Sequence, residues 1–302
     1  MAKKNPSNTI KPSNSDRIFY IINGILLTLV FIITAYPLYL VVISSFSDPT
    51  MVHQGKVLLL PQGFTLLGYE RTFAHKDLLQ SYWNTIKYTV VGVAVNLAFT
   101  LPAAYALSVK RLYGRRVILF LVTFSMYFSC GLIPNYLLIK SLGLLNSFWV
   151  MIIPGAVSAY NLIVARSFIE SNVPDELYEA AQVDGCGRIR FFFKVVIPLS
   201  STLIAILALF YGVGHWNSYM SALLYLQDRN MFPLQVVLRE ILRTARYSPE
   251  DFVDPEIQAV LEQLAESMRY SMLIFTSVPV LVIYPFLQKY FVKGITIGSV
   301  KG

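Results

Sequence analysis

Six long hydrophobic segments alternate with shorter polar segments along the chain. The first segment, residues 18–43, contains no Asp, Glu, Lys or Arg. A run of 18 or more apolar residues predicts a membrane-spanning helix, because about 20 helical residues cross the hydrocarbon core of a bilayer. Barrel strands would alternate over about 10 residues, whereas these runs are longer and apolar on all faces. The predicted helical spans are residues 18–43, 83–109, 117–139, 148–169, 195–222 and 270–292.

Composition supports a membrane protein. Of the 302 residues, 55% are hydrophobic and 14% are charged, whereas about a quarter of a soluble domain is charged. We expect an all-α, polytopic membrane fold, in which residues 18–292 form one six-span domain. Residues 1–17 are polar and predict a disordered cytoplasmic tail. Cleavage near Ser45-Phe46-Ser47 is the less favoured alternative, because the first apolar run is about twice as long as a signal-peptide core of 7–15 residues.

The distribution of basic residues predicts the orientation. With the N-terminus inside, the inside segments hold 15 basic and six acidic residues, and the remaining segments hold 10 basic and 11 acidic residues. Short cytoplasmic loops are rich in Lys and Arg, and the segment Lys110–Arg116 has four basic residues in seven. Both termini are therefore placed on the cytoplasmic side of the membrane. Contact with anionic lipid is compatible with these charges, and no nucleic-acid partner is expected.

Three longer segments separate the spans. Two are predicted outside, one after the first span and one at residues 223–269. Within the second, Pro255–Ser267 has apolar residues at helical spacing and predicts an amphipathic surface helix. The third segment, residues 170–194, is predicted in the cytoplasm between spans four and five.

This cytoplasmic segment contains the start and stop signals of a short helix. Pro174 is expected at the first helical position, followed by acidic residues in the first turn, which suits a helix N-terminus. Asp184-Gly185 is typical of the turn that ends a helix, with a positive φ at Gly185. Ala180 and Ala181 form a small-residue patch that lets another protein approach the backbone closely.

The same segment resembles the EAA loop of ABC importer permeases. The family pattern is Glu-Ala-Ala, three residues, Gly, nine residues and then Ile-x-Leu-Pro. The chain keeps every spacing, with Glu179-Ala180-Ala181, Gly185 and Val195-x-Ile197-Pro198. The two departures, Val for Ile and Ile for Leu, are conservative in shape. Asp184 before the glycine is also usual in this family.

The resemblance implies an ABC type I importer permease fold whose loop is a coupling helix that docks on a separate ATPase. Glu179 would bond to that ATPase, or would alternatively pair near its own helix with Arg188 or Arg190. The resemblance implies a homologous permease as partner, two ATPase subunits that bind ATP and Mg, and an extracytoplasmic solute-binding protein. No cofactor or metal is expected in this chain.

The C-terminal sequence extends the resemblance to sugar permeases. The segment Gly294–Gly302 is similar to the tail of the maltose-type, MalG-like class, and Tyr284–Gly294 resembles the LplC/YtcP branch of that class. The resemblance implies that the cytoplasmic tail, residues 293–302, reaches the ATPase through Lys301 and Gly302.

The fifth span carries polar and aromatic residues, which are costly inside a membrane and usually face a cavity or a partner helix. Aromatic rings stack on the C–H faces of sugars, amides bond sugar hydroxyls, and a Trp-Asn pair at this place is similar to that of sugar permeases. Interfacial belts, helix packing and a structural histidine are the open alternatives. The predicted pathway for an oligosaccharide comprises Tyr211, His215, Trp216, Asn217 and Tyr219, with Asn96, Asn135 and Asn161 as weaker candidates.

Other functions lack their sequence signatures. ATP binding by this chain would need a phosphate loop, but Gly55-Lys56 is followed by Val57 instead of Ser or Thr. Paired carboxylates or a His-Glu-x-x-His motif, which would suggest an enzyme, are absent from the sequence, and the interiors of the predicted spans hold no acids for ion coupling. Cys130 and Cys186 do not suggest a disulfide. We expect a non-catalytic permease for oligosaccharides, with an ABC permease for amino acids or peptides as the alternative.

Overall fold

The computed structural model describes residues 13–244, 265 and 268–285, and all regular elements in these ranges are helical. Three short turns, at Phe148–Met151, Ile153–Gly155 and Arg229–Met231, are 3₁₀ helices. The longer helices are α1 (Asn14–Ser45), α2 (Pro49–His53), α3 (Leu67–Ala74), α4 (Leu78–Ser108), α5 (Arg115–Tyr127), α6 (Leu132–Ser141), α7 (Ala159–Asn172), α8 (Asp175–Val183), α9 (Arg188–Leu199), α10 (Ser201–Trp216), α11 (Tyr219–Tyr225), α12 (Leu234–Thr244) and α13 (Met268–Pro285).

Three of these helices, α1, α4 and α13, are each long and apolar enough to cross a membrane. Three further pairs of consecutive helices are long and apolar enough when each pair is counted as one bent span, which gives up to six spans among the described residues. The pairs bend by 118° between α5 and α6, by 51° between residues 148–155 and α7, and by 79° between α9 and α10. The sequence predicted continuous helices over 117–139, 148–169 and 195–222, and the structure instead breaks each of them.

Glycine and proline lie at these breaks. Gly131 precedes α6 with φ 82° and ψ 179°, a backbone conformation that is essentially open only to glycine. Pro154 lies in the 3₁₀ segment before α7, and Pro198 lies two residues before the break at Ser200. A proline lacks the N–H that would continue a helical ladder, and α9 widens into a π turn at Phe192–Val196 just before Pro198.

The first helix begins earlier than the sequence predicted. It starts at Asn14, so residues 14–17 are helical instead of part of the tail. The backbone N–H of Ser13 donates to the Asp16 carboxylate at 2.8 Å, as in a capping box. The most apolar 18 residues of α1 include no buried residue. The apolar surface of α1 is therefore left for lipid or another protein to cover.

Helix α4 is the centre of the packing, because α7 and α10 both lie along it. The core between these helices includes small residues, which let helices approach closely, together with branched and aromatic side chains. Its buried members include Leu101, Ala104, Ala165, Leu203 and Leu207. Over its 31 residues α4 is about 46 Å long, so its two ends lie far apart.

Buried polar side chains near the start of α4 bind irregular backbone at that end. The amide of Asn84 donates to two carbonyls of segment 230–232, at 2.6 and 3.2 Å. Tyr88 donates to a third at 2.8 Å. The Thr85 hydroxyl accepts the N–H of Leu234, the first residue of α12. These bonds satisfy backbone groups that would cost several kcal/mol each if left unpaired in hydrocarbon.

About two turns beyond Tyr88, Asn96 bonds the backbone at the break before α7. Its amide nitrogen donates to the carbonyls of Gly155 and Ala156, at 2.6 and 3.0 Å. Its amide oxygen lies 2.7 Å from Nε2 of His215 on α10, and the amide oxygen can only accept, so the imidazole donates. Asn96 thus joins three spans through one side chain.

A second connection lies four residues along both helices. The hydroxyls of Thr100 and Tyr211 are 2.8 Å apart, and the Tyr211 oxygen accepts the N–H of Ser158 at 3.3 Å. Both side chains are buried. We call the pairs Asn96–His215 and Thr100–Tyr211 the polar ladder.

The polar ladder requires a glycine at position 92. A Cβ at Gly92 would overlap the His215 ring, so we expect Gly92→Ala to destabilise the protein by about 1–3 kcal/mol, although alanine normally favours a helix by about 1 kcal/mol. Thermal unfolding of the purified protein in detergent measures this change.

Two controls separate the overlap from a general helix effect. A Cβ at Gly212 would meet nothing closer than 3.7 Å, so Gly212→Ala should be neutral or stabilising. In a His215→Ala background, Gly92→Ala should no longer destabilise. Equal destabilisation by Gly92→Ala with and without the imidazole would contradict this packing.

Candidate functional site

The first candidate surface is α8, which contains the EAA residues. Pro174 is the N-cap, one residue earlier than the sequence predicted, and Asp175 is the first helical residue. At the other end Gly185 has φ +72°. The N–H of Gly185 donates to the Gln182 carbonyl at 3.0 Å, and the next N–H donates to the Ala181 carbonyl at 2.9 Å. This pair of bonds is a Schellman motif, whose left-handed position favours glycine.

One face of α8 packs against the core of the protein, and the opposite face is exposed. Tyr178 and Ala181 pack on the core beside α4 and α7. On the other face Leu177 is 43% exposed, Val183 is 88% exposed, and Ala180 between them is exposed too. Three apolar residues spaced by three along a helix form a continuous stripe. We call Leu177, Ala180 and Val183 the α8 stripe.

Aromatic contacts hold α8 against α9. The rings of Tyr178 and Phe191 meet edge to face, 5.2 Å apart, and the guanidinium of Arg188 lies 4.5 Å from the centre of the Tyr178 ring. The sequence left open a pairing of Glu179 with Arg188 or Arg190. Among the described residues Glu179 takes part in no ion pair and is exposed, as is Asp184.

A half-buried charge cluster lies where α7 meets α4 and α5. Glu170 accepts from Arg115 at 2.8 Å and also pairs with Arg166, one turn back on α7. The Nε of Arg115 donates to the Leu107 carbonyl at the end of α4. On the surface beside it, Lys110 pairs with Asp175 of α8 at 3.1 Å. Glu170 was not predicted as a site residue, because Arg115, its partner from another helix, is 55 residues away in sequence.

The second candidate surface is the end of α10, where three of the predicted pathway residues face inward. The Trp216 indole is buried and donates to the Thr276 carbonyl of α13 at 3.1 Å. Tyr211 and His215 belong to the polar ladder. The structure places their polar atoms between helices, where they bond backbone and amide groups, and their place on the substrate pathway stays a prediction.

Asn217 and Tyr219, in contrast, are exposed at the break between α10 and α11. Each faces a residue of α12 that was not predicted from the sequence. Asn217 accepts from the Gln235 amide at 3.4 Å, and the Arg239 guanidinium lies 5.2 Å from the centre of the Tyr219 ring. The amphipathic spacing of α12, with Leu234, Val237, Leu238 and Ile241 buried, was the missed signal that would have placed Gln235 and Arg239 outward.

Several expected features fall elsewhere. Lys301, Gly302 and most of the predicted helix Pro255–Ser267 lie outside the described residues. Asn161 is buried in α7, and its N–H bonds the Ser158 cap. Within the described ranges, no group of three His, Cys, Asp or Glu residues could hold a metal ion, and Cys130 and Cys186 are free thiols.

Comparison with known proteins places this geometry in a family. The family described as "Binding-protein-dependent transport system inner membrane component" matches residues 16–297. Protein LplC of Bacillus subtilis is 39% identical over 98% of this chain and 99% of its own length. The polygalacturonan/rhamnogalacturonan transport system permease protein YtcP of the same organism is 40% identical over 90% of this chain and 94% of its own length.

A solved structure agrees with the whole arrangement. A crystal structure of a bacterial ABC transporter involved in the import of the acidic polysaccharide alginate contains a chain with a TM-score of 0.83 and 36% identity, which covers 94% of this chain and 100% of the other. Together these likenesses cover almost the full length, including both candidate surfaces. The chain therefore belongs to the binding-protein-dependent transport system inner membrane components, and it is a non-catalytic permease subunit of an ABC importer.

Proposed function

We propose that this permease imports oligosaccharides, derived from polysaccharides, into a bacterial cell. The names of YtcP and of the alginate transporter both refer to polysaccharides, and other relatives are named for arabinooligosaccharides and galactooligosaccharides. These names support the saccharide reading over the alternative of an amino-acid or peptide permease. The exposed amide and ring at Asn217 and Tyr219 are compatible with sugar hydroxyls and sugar faces.

The observation that carries the coupling role is the α8 stripe. An exposed apolar row on a short helix that ends in a Schellman motif is suited to dock in a cleft of another protein. In our proposal that protein is the ATPase, with Glu179, Ala180, Ala181 and Asp184 at or beside the contact and Gly185 shaping the turn. Lys301 and Gly302 would add a second contact. ATP and Mg would be bound by the ATPase partner.

Two sets of contacts would transmit a movement of α8 to the membrane spans. Tyr178 and Arg188 connect α8 to α9, which leads directly into α10. Glu170 connects the end of α7 to α4 and α5 through Arg115 and the Leu107 carbonyl. A charge pair of low exposure is costly to separate, so these helix ends would move together instead of sliding past one another.

The proposed orientation places α8 and both termini in the cytoplasm. The ion pair between Lys110 and Asp175 brings the basic α4–α5 loop to the same end as α8, in keeping with positive-inside loops. The exposed apolar surface of α1 would contact lipid or a homologous permease in a heterodimer. Two ATPase copies would bind below, and a solute-binding protein above, near Asn217, Tyr219 and α12.

Replacing Gly185 by valine should uncouple the permease. A non-glycine residue in the left-handed region costs about 1–2 kcal/mol, and a β-branched residue fits it worst, so the Schellman turn should distort. We expect ATP-driven uptake by the reconstituted complex to fall about tenfold or more, together with a loss of co-purifying ATPase.

The matched controls lie two residues away and at the same site. Gly187 has φ −70° with nothing within 4 Å of an added Cβ, so Gly187→Val should transport normally. Gly185→Asn should retain most activity, because asparagine tolerates the left-handed region. Wild-type transport and wild-type ATPase association in Gly185→Val would show that the coupling role is wrong.

The saccharide claim is tested by uptake. Cells with and without this chain are given a panel of labelled oligosaccharides from neutral and acidic polysaccharides, with labelled peptides and amino acids in parallel. We expect uptake of at least one oligosaccharide to depend on the chain. If only the uptake of peptides or amino acids depends on the chain, the saccharide proposal is contradicted and a permease for amino acids or peptides is favoured.

A further inference from the structure

A matched set of polar contacts lies between the α10–α11 break and α12. Asn217 meets Gln235 and Tyr219 meets Arg239. Gln235 and Arg239 are four residues apart and therefore lie on one face of α12, about 6 Å from each other along its axis. Asn217 and Tyr219 lie on either side of Ser218 in the chain and face α12 from the α10–α11 break. The result is a small surface with two amides, one aromatic ring and one cation.

The cation of this surface is not used to neutralise a carboxylate of the described chain. Arg229 donates to Asp77 at 2.7 Å and to Glu240 at 2.9 Å, and the bond from Arg229 holds the pKa of Asp77 below its ordinary value. Arg239 takes part in none of the ion pairs between described residues. Its side chain is exposed beside the ring of Tyr219, which is 38% exposed.

The surface is continuous with the exposed side of α10. Phe210, Val213 and Gly214 are exposed on that helix, at spacings of three and four that continue to Asn217. It also stands on rigid supports, because Leu234 at the start of α12 is tied to Thr85, and Trp216 before Asn217 is tied to α13. A ligand that moves along α10 would therefore meet Asn217 and Arg239 in fixed positions.

We propose that this surface is a binding subsite for a uronic-acid residue of an acidic oligosaccharide. The Arg239 guanidinium would bind the sugar carboxylate through charge-assisted hydrogen bonds. The exposed part of the Tyr219 ring would contact the sugar face, and the amides of Asn217 and Gln235 would bond its hydroxyls. This assignment rests on the proposed import of oligosaccharides and adds a preference for negative charge within the permease itself.

The test is equilibrium binding to the complete permease–ATPase complex without its solute-binding protein. The probes are labelled trigalacturonate and its fully methyl-esterified form, which has the same backbone without charge. We expect the wild type to bind the acid about tenfold more tightly than the ester, and raised salt to reduce that difference. Arg239→Gln should bind both probes equally, while Arg239→Lys keeps part of the preference.

Arg243, one turn further along the same exposed face, gives the matched control, and Arg243→Gln should keep the wild-type preference. A wild type that binds acid and ester equally, or an Arg239→Gln variant that retains the preference, would overturn the subsite. So would weaker docking of the solute-binding protein to Arg239→Gln with sugar binding unchanged. Oligosaccharide uptake by a complex without this preference would leave the proposed function standing, whereas absence of all oligosaccharide uptake would overturn both.

Discussion

The fold depends on one constraint, the need to pair the backbone groups that a broken helix exposes away from water. Helix α4 meets this need along its length. Asn84, Thr85 and Tyr88 bind the turn that leads into α12, and Asn96 binds the carbonyls at the break before α7. Because a single helix supplies these partners, the turn before α12 and the break before α7 are fixed relative to one another.

This arrangement separates two exposed surfaces by the length of α4. At one end the α8 stripe is bare, while the opposite face of α8 is held by Tyr178 and the neighbouring charge cluster is held by Glu170. At the other end the α10–α11 break presents Asn217 and Tyr219 beside α12. A permease driven by another protein needs one surface that contacts the ATPase and one that contacts the substrate, with a stiff connection between them.

The sequence was sufficient to predict the six apolar segments, because membrane thickness sets the length of a span. It was also sufficient to predict α8, because the residues that begin and end a helix are local in sequence. The breaks were not predictable from proline alone. Pro37 and Pro102 lie inside the unbroken helices α1 and α4, whereas Pro154 and Pro198 lie beside bends. What differs is the tertiary partner, since Asn96 serves the break near Pro154. The inward positions of Tyr211, His215 and Trp216 likewise depend on neighbours from α4 and α13 that the spacing within α10 does not contain.

The central claim is that α8 is the element through which a separate ATPase drives this chain, and site-specific photo-cross-linking tests it most directly. A photoreactive amino acid placed at Val183, in the assembled complex in its native membrane, should cross-link to the ATPase subunit, and ATP should change the yield. The same amino acid at Phe64, which is exposed in the predicted outer loop, should give no such product. Cross-links from Val183 to lipid alone, or an ATPase product from Phe64 but not from Val183, would contradict the account.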